Sequence, residues 1–431
     1  MQFDNLSAWL TYLESAHPIA IDMGLTRITK VRDVLGLKLT CPVITVGGTN
    51  GKGSICAMLE SVLGSAGYRV GCHTSPHFLR FNERARVMST PARDDELMPH
   101  FAAVEQARLR LADPVSLTYF EFTTLAILHF FAHSQLDVVI LEVGMGGRLD
   151  AVNIIDADCA VISSIDLDHV AYLGNTRELI GREKAGIFRA HSIAICADPI
   201  APLSLIEYAQ EIGADLWLSG RDFSFQGDRQ QWSWSGRGKR FSGLAYPALR
   251  GANQLLNAAA VIAALSALQQ RLPVAAQDIR NGLAWVTLPG RFQVLPGKPT
   301  VVLDVAHNPH AAGVLSKNLE NMGFYRYTWA IFGVMQDKDV AGILAHLGKQ
   351  IDHWCLTALP TPRAASCTYL EEMVRASGYQ DDADHSLRTW EDPAVAYAFA
   401  LKQAGENDRI VVFGSFYTVA GVMTDKLSNA I

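Results

Sequence analysis

The chain has 431 residues, 49% hydrophobic and 19% charged, with a formal net charge of −6. That length exceeds what one hydrophobic core usually organises, so two domains are expected. The modest charge, without a long single-sign run, argues against a nucleic-acid footprint or a polybasic membrane patch, and no uncharged apolar run reaches the ~18 residues of a membrane-spanning helix.

Residues 4–16 have helical spacing, with Leu6, Leu10 and Leu13 on one face and Trp9 and Tyr12 close by, and Pro18 ends the pattern. A loop, IAIDMGLTRI, leads into a second short helix through Leu35. A β-type run, Val43 to Val46, then stops at Gly47-Gly48, and an Ala/Met/Leu pattern suited to a helix runs on from Ser54. A strand, a glycine loop and a helix start make an anion cradle, because the loop turns N–H groups toward one point and the helix end adds partial positive charge. Lys52 would reach the β/γ-phosphates of a nucleotide, and Ser54 could cap the helix or contact its Mg²⁺. The spelling departs from the common P-loop, with Val46 where a glycine is usual and Gly53 where the hydroxyl residue is usual.

Alternation of apolar runs with helical stretches predicts a parallel sheet covered by helices. Strand candidates are 42–46, 68–72, 137–141 and 158–163. Ligands of open α/β sheets sit beyond the carboxyl ends of the strands, so Lys52, Ser75, Glu142 and His169 are expected on one rim. A hydroxyl, a carboxylate and an imidazole beside triphosphate oxygens suit Mg²⁺, with histidine the less usual ligand. Residues 176–189 form a charged helix that reads as a solvated face with i,i+4 pairs. Phe223-Ser-Phe225 and Trp232-Ser-Trp234 alternate with period two and predict a small antiparallel hairpin whose aromatics form its packed side. Residues 250–270 predict a buried Ala-rich helix with Asn253 and Asn257 near its start.

Residues 289–299, rich in Pro and Gly, read as a linker between a domain of residues 1–288 and one of 300–431. The second series has strand candidates at 300–305, 328–333, 353–358 and 409–414. The expected fold is α/β: a P-loop ATPase-type, mostly parallel N-terminal domain with a small antiparallel addition, then a smaller Rossmann-like C-terminal domain. Seven cysteines without a Cys-x-x-Cys pair suggest buried reduced thiols, and the first residues show no basic-then-apolar signal segment. A cytoplasmic protein is the expectation.

The ordered set GTNGKGS (48–54), TSPH (74–77), LEVGMGGRLDAVN (141–153), LDH (167–169), GREKAGIF (181–188), LPGRFQ (288–293), DVAHNPHA (304–311) and GSFYTVA (414–420) resembles the folylpolyglutamate synthase/dihydrofolate synthase family, within the Mur-ligase-like ATP-dependent amide ligases. The resemblance runs over nearly the whole chain, and Gly53 between Lys52 and Ser54 is that family's spelling. It implies that ATP activates a substrate carboxylate as an acyl phosphate, which the amine of L-glutamate attacks, releasing ADP and phosphate. By resemblance, Thr49, Asn50, Gly51, Lys52, Gly53, Ser54, Asn257, Arg291 and Asp304 contact ATP. Ser75, Glu142 and His169 resemble magnesium ligands, and Lys184 resembles a carbamylated lysine supporting a second Mg²⁺, against the solvated reading of its helix. Asp304, His307 and Ser415 resemble groups that position glutamate, and Lys52, Lys184 and His307 form the implied catalytic set.

Ala20, Ile21, Asp22 and Met23, Thr118, Tyr119, Phe120 and Glu121, and Leu149, Asp150 and Ala151 resemble pterin-binding segments of enzymes carrying both activities. The implied substrates are ATP, L-glutamate, dihydropteroate and reduced folates, handled by a monomer without nucleic-acid or membrane partners. A monofunctional folylpolyglutamate synthase, a ligase of peptidoglycan precursors and a P-loop switch remain the competing readings. The switch leaves DVAHNPHA unexplained.

Overall fold

The computed structural model describes residues 3–228, 230–251 and 253–427. Contacts divide the chain into two units, one running to Ala248 with Leu255–Val286 added, the other comprising Leu249–Gln254 and the residues from Thr287 onward. Among the described residues no helix is long and apolar enough to cross a membrane.

The first unit is built on eight strands: β1 (Val43–Gly47), β2 (Val70–His73), β3 (Ala85–Val87), β4 (Thr90–Pro91), β5 (Val138–Glu142), β6 (Cys159–Ile162), β7 (Ile193–Cys196) and β8 (Asp215–Leu218). Their order is β4-β3-β2-β5-β1-β6-β7-β8. From β2 to β8 every pair is parallel, and β3 and β4 add an antiparallel edge. Every residue of β1 and β5 is buried, which is why both read as unbroken apolar runs rather than alternating ones. Register brings the strand ends level, with His73 opposite Leu141, Val46 opposite Glu142 and Gly47 opposite Ile162.

The N-terminal helix, Leu6–Ser15, is capped by Asn5 and buries Leu6, Trp9 and Leu13. Its Trp9 ring lies 6.0 Å from Phe101 and 5.9 Å from Phe122, which pins it to helices Asp94–Leu109 and Tyr119–Ala132. The helix after the glycine loop, Lys52–Ser65, packs unusually close to helix Ala276–Trp285. A Cβ on Gly282 would come within 2.4 Å of the Val62 Cα, and Ser61 Oγ donates to the Gly282 carbonyl at 2.8 Å. Gly282→Ala is therefore expected to cost about 2 kcal/mol in urea unfolding, because backbone crowding outweighs the ~1 kcal/mol helix preference of alanine. Equal or greater stability of the variant would show that the two helices part easily.

Strands β9 (Phe223–Gly227), β10 (Trp232–Gly236) and β11 (Lys239–Leu244) form a separate antiparallel sheet, so the expected hairpin gains a third strand. The alternation places Phe223, Trp232 and Trp234 inward, each at most 2% exposed. The Trp234 indole N–H donates to the Ala259 carbonyl at 3.0 Å, so the aromatic side packs on the Ala-rich helix Gln254–Ala267, whose small side chains let the ring reach its backbone.

In the second unit β12 (Gln293–Leu295), β13 (Thr300–Leu303), β14 (Thr328–Phe332), β15 (His353–Thr357), β16 (Ser386–Trp390) and β17 (Arg409–Phe413) lie in the order β12-β13-β17-β14-β15-β16, all parallel except β12. Residues 289–299, read above as a linker, supply β12, which pairs antiparallel with β13. Three residues are too few for a periodic signal, and Pro296-Gly297 is the turn between these two strands.

Candidate active site

The residues after β1 are held in an open loop by side chains from the end of β6. Gly48 and Gly51 have φ of 138° and 94°. A Cβ on Gly48 would fall 1.8 Å from Ser163 Oγ, and one on Gly51 2.7 Å from Asn257 Oδ1, so both positions require glycine. Ser163 and Ser164 hydroxyls donate to the Asn50 carbonyl at 2.7 and 3.0 Å, and Ser164 Oγ accepts from the Asn50 N–H at 3.1 Å. Thr49 Oγ1 bridges the Asp166 backbone in both directions. The Lys52 ammonium folds over this loop and donates to the carbonyls of Gly48 at 3.0 Å and Thr49 at 3.2 Å. Gly53 and Ser54 are buried in the first turn of the following helix. Asn257, 5% exposed, lies beside Gly51 from helix Gln254–Ala267.

Glu142 ends β5, and Ser75, Lys52 and His169 follow β2, β1 and β6; these are four neighbouring parallel strands, so the residues share the carboxyl rim of one sheet. Glu142 is 4% exposed and accepts the Ser75 backbone N–H at 3.0 Å, which ties the strand end to the TSPH loop. His169 has a left-handed backbone, φ 51°, and its N–H donates to Asp168 Oδ1 at 2.8 Å. A buried carboxylate, a hydroxyl and an imidazole form a mixed, mostly oxygen donor set that fits a hard divalent cation.

The burial of Lys184 corrects the solvated-face reading of residues 176–189. Lys184 lies in helix Arg177–Ala185 and is 4% exposed. The loop after β5 packs tightly on this turn of the helix: a Cβ on Gly147 would stand 2.9 Å from the carbonyls of Glu183 and Lys184, and Arg148 donates from backbone and side chain to Glu183. Burial, and then the charge of Lys52, bring the Lys184 pKa down to about 7, against the opposing pull of Asp168 and Asp150. Asp150 is pushed up to about 6 by burial, opposed by N–H groups of its own loop and by Lys52. Asp168 went unassigned in the sequence, although it directly precedes His169 in the LDH stretch.

The pterin candidates adjoin the same loop. Thr118 and Glu121 form a reciprocal capping box at the start of helix Tyr119–Ala132, Thr118 accepting from the Glu121 N–H and Glu121 from the Thr118 N–H. Phe120 stacks on His73 at 6.3 Å between ring centres and borders Gly144, where a Cβ would meet its ring at 2.8 Å. Tyr119 meets Phe81 edge to face and carries the Arg84 guanidinium over its ring. Asp22 pairs with Arg27 at 2.6 Å, and Arg27 also reaches Glu121 at 3.2 Å. Arg27 thus joins two candidate segments, a link invisible to spacing because 94 residues separate it from Glu121. Met23 lies beside Gly146, Asp150 accepts from the Met145 and Val152 N–H groups, and Ala20 is exposed. Ile21 and Leu149 are partly buried and Ala151 is buried.

In the second unit Asp304 follows β13 and accepts the N–H groups of Phe292 and Ala306, both at 2.8 Å. Burial raises its pKa, and the charge of Arg291 opposes that shift. Arg291 stands over the Phe416 ring at 5.5 Å. His307 Nδ1 lies 2.8 Å from the Val305 carbonyl, which can only accept, so this nitrogen carries the hydrogen. Ser415 Oγ accepts the Thr418 N–H at 3.0 Å at the start of helix Phe416–Leu427.

Family models match two stretches of the chain: the Mur ligase middle domain over residues 46–265 and the Mur ligase glutamate ligase domain over residues 290–416. The dihydrofolate synthase/folylpolyglutamate synthase of Escherichia coli K12 is 43% identical over 97% of this chain and 94% of its own. The chain belongs to the dihydrofolate synthase/folylpolyglutamate synthase family of Mur ligases. Solved structures of this family superpose closely. E. coli FolC in complex with DHPP and ADP has a TM-score of 0.93 at 42% identity, with both chains covered completely. A bifunctional folylpolyglutamate synthase/dihydrofolate synthase with Mn, AMPPNP and L-glutamate bound has a TM-score of 0.89 at 41% identity, with 99% of each chain covered.

Proposed function

We propose that the chain is an ATP-dependent acid–amino-acid ligase that joins L-glutamate to dihydropteroate, giving dihydrofolate, and extends reduced folates with γ-linked glutamates. The observation that carries this reading is the gathering of Lys52, Ser75, Glu142 and His169 on four adjacent strand ends, with Lys184 buried in electrostatic reach of Lys52. In the first step a carboxylate oxygen of the pteroyl substrate attacks the γ-phosphorus of ATP, and the bond to ADP breaks. The amine lone pair of L-glutamate then attacks the acyl carbon, phosphate leaves with the C–O bonding pair, and the amine proton passes to solvent.

Negative charge meets negative charge in the first step, so the Lys52 ammonium and the loop N–H groups neutralise it. Thr49 to Ser54, Asn257, Arg291 and Asp304 hold the nucleotide. Asp304, His307 and Ser415 of the second unit orient glutamate. Ser75, Glu142 and His169 would hold Mg²⁺, which when bound supplies Lewis-acid stabilisation to phosphate oxygens. Lys184, half neutral near pH 7, is poised to attack carbon dioxide and lose a proton; the resulting carbamate anion would support a second Mg²⁺. Tyr119 and Phe120 offer aromatic faces to a flat pterin, with Asp22, Glu121 and Asp150 as its polar neighbours.

All seven cysteines are free thiols and five are buried, which supports a cytoplasmic protein, and we take the working unit to be a monomer. The deciding experiment is phosphate release by the purified chain with ATP, Mg²⁺ and L-glutamate, supplied first with dihydropteroate and then with tetrahydrofolate. Turnover with both is expected. Turnover with tetrahydrofolate alone would reduce the function to a folylpolyglutamate synthase, and glutamate-independent hydrolysis of ATP would overturn the ligase reading.

A further inference from the structure

Three histidines converge away from the strand-end rim. His100 lies in helix Asp94–Leu109, His129 in the last turn of helix Tyr119–Ala132, and His133 caps that helix. One ring nitrogen of each lies within 4.8 Å of those of the other two. His100 Nδ1 and His129 Nδ1 are 2.8 Å apart, and the rings of His129 and His133 approach to 4.4 Å between centres. Among the described residues no other trio of His, Cys, Asp or Glu comes together in this way.

We propose that His100, His129 and His133 form a binding site for a late first-row divalent cation of the Zn²⁺ class, which clips the two helices together. His129 and His133 are four residues apart, so they rise from one helical face, and His100 meets them from the neighbouring helix. The His133 tautomer suits a ligand. Its Nδ1 donates to the His129 carbonyl at 2.7 Å, which leaves Nε2 as the acceptor nitrogen and gives the ring the backbone support that metal-bound histidines usually have. Between His100 and His129 only one nitrogen of the close pair can carry hydrogen. When a cation takes that place, the hydrogen moves through solvent to the other nitrogen of its ring, so three neutral ligands serve without net loss of a proton.

All three side chains need to be neutral to bind. Burial, and then the neighbouring rings, hold His100 down to about 4, and burial and His133 also lower His129. Bonds of ~2.0–2.1 Å in a tetrahedral site put ligand nitrogens ~3.3 Å apart, between the closest and widest separations seen here. His100 and His129 are partly buried and His133 is exposed, so the site opens to solvent, which supplies the fourth ligand. Three imidazoles without a carboxylate favour Zn²⁺, Cu²⁺, Ni²⁺ or Co²⁺ over the hard cations that ATP chemistry uses. The site is separate from the ligase rim: Glu121, at the other end of the same helix, is about 12 Å along its axis from His129.

The test uses the full chain, treated with chelator and then held in a large excess of Mg²⁺ so that oxygen-rich sites are filled. Co²⁺ is titrated by visible absorption, and Zn²⁺ by calorimetry and thermal unfolding. One saturable, Mg²⁺-insensitive site of micromolar or tighter affinity is expected, with a rise of about 4 °C in the unfolding midpoint at saturation. His133→Gln and His100→Gln are each expected to weaken binding at least ~100-fold and to abolish the rise, while phosphate release in Mg²⁺ stays unchanged. His133 is exposed, so its variant keeps the test sound should His100→Gln fail to fold. No saturable site, or a site that survives in the His133→Gln chain, would overturn the proposal.

Discussion

Lys52→Ala is expected to lower the rate of phosphate release about 10³-fold, corresponding to ~4 kcal/mol of lost transition-state stabilisation. Its ammonium hangs over the glycine loop, in contact with the carbonyls of Gly48 and Thr49, where the phosphates of a nucleotide would draw it away. The charge matters most while the carboxylate oxygen and the γ-phosphoryl group approach, so the loss should fall mainly on kcat and less on KM for ATP. Lys52→Arg should not restore the rate, because a planar fork does not fit where a compact point charge is needed. Steady-state assays with ATP and glutamate varied in turn would read both effects. Most of the rate surviving in Lys52→Ala would remove the loop from the chemistry.

The second large effect concerns Lys184. Lys184→Ala is expected to lose about 10²–10³-fold in rate, with partial recovery when formate or acetate supplies a carboxylate in place of the carbamate. NMR of the wild-type chain in labelled bicarbonate should show a carbamate signal that Lys184→Ala lacks. A fully active Lys184→Ala enzyme would dispose of the idea.

Stability offers a second readout with a definite sign. The folded pKa of about 7 lies below the ordinary 10.5, so the unfolded chain binds the extra proton. The penalty for burying this group is complete below about pH 7 and is relieved as pH rises from there toward 10.5. In buffer free of carbon dioxide, Lys184→Met should therefore gain stability over wild type at pH 6, and the gain should shrink steadily at alkaline pH. Urea unfolding at several pH values measures it. A gain independent of pH would mean that the amine is not titrating in the fold.

Much of the site could be read from the residues in order, because its backbone is local. Val43 to Val46 with Gly48 and Gly51 specify a strand and a loop that only glycine can make, and Lys52 follows by sequence alone. The same holds for Ser75, Glu142 and His169, each placed just beyond an apolar run that had to be a buried strand. Several short strands escaped: β3, β4, β7, β8, β11, β12 and β16. β12 has three residues between turn-forming prolines and glycines, and β16, Ser386–Trp390, is an edge strand with none of its residues fully buried, so it lacks an apolar run.

The sequence by itself determined which residues end strands, where glycine is obligatory and which family spells its motifs this way, since these depend on local backbone geometry and short spacing. Tertiary structure alone decided that β2, β5, β1 and β6 are neighbours, that the loop at Gly147 and Arg148 packs on the helix turn of Lys184, and that Arg27 bridges Asp22 and Glu121. Burial and charge at those groups arise from segments far apart in the chain, and a lysine written as part of a charged helix acquires its lowered pKa only when the fold takes it out of water.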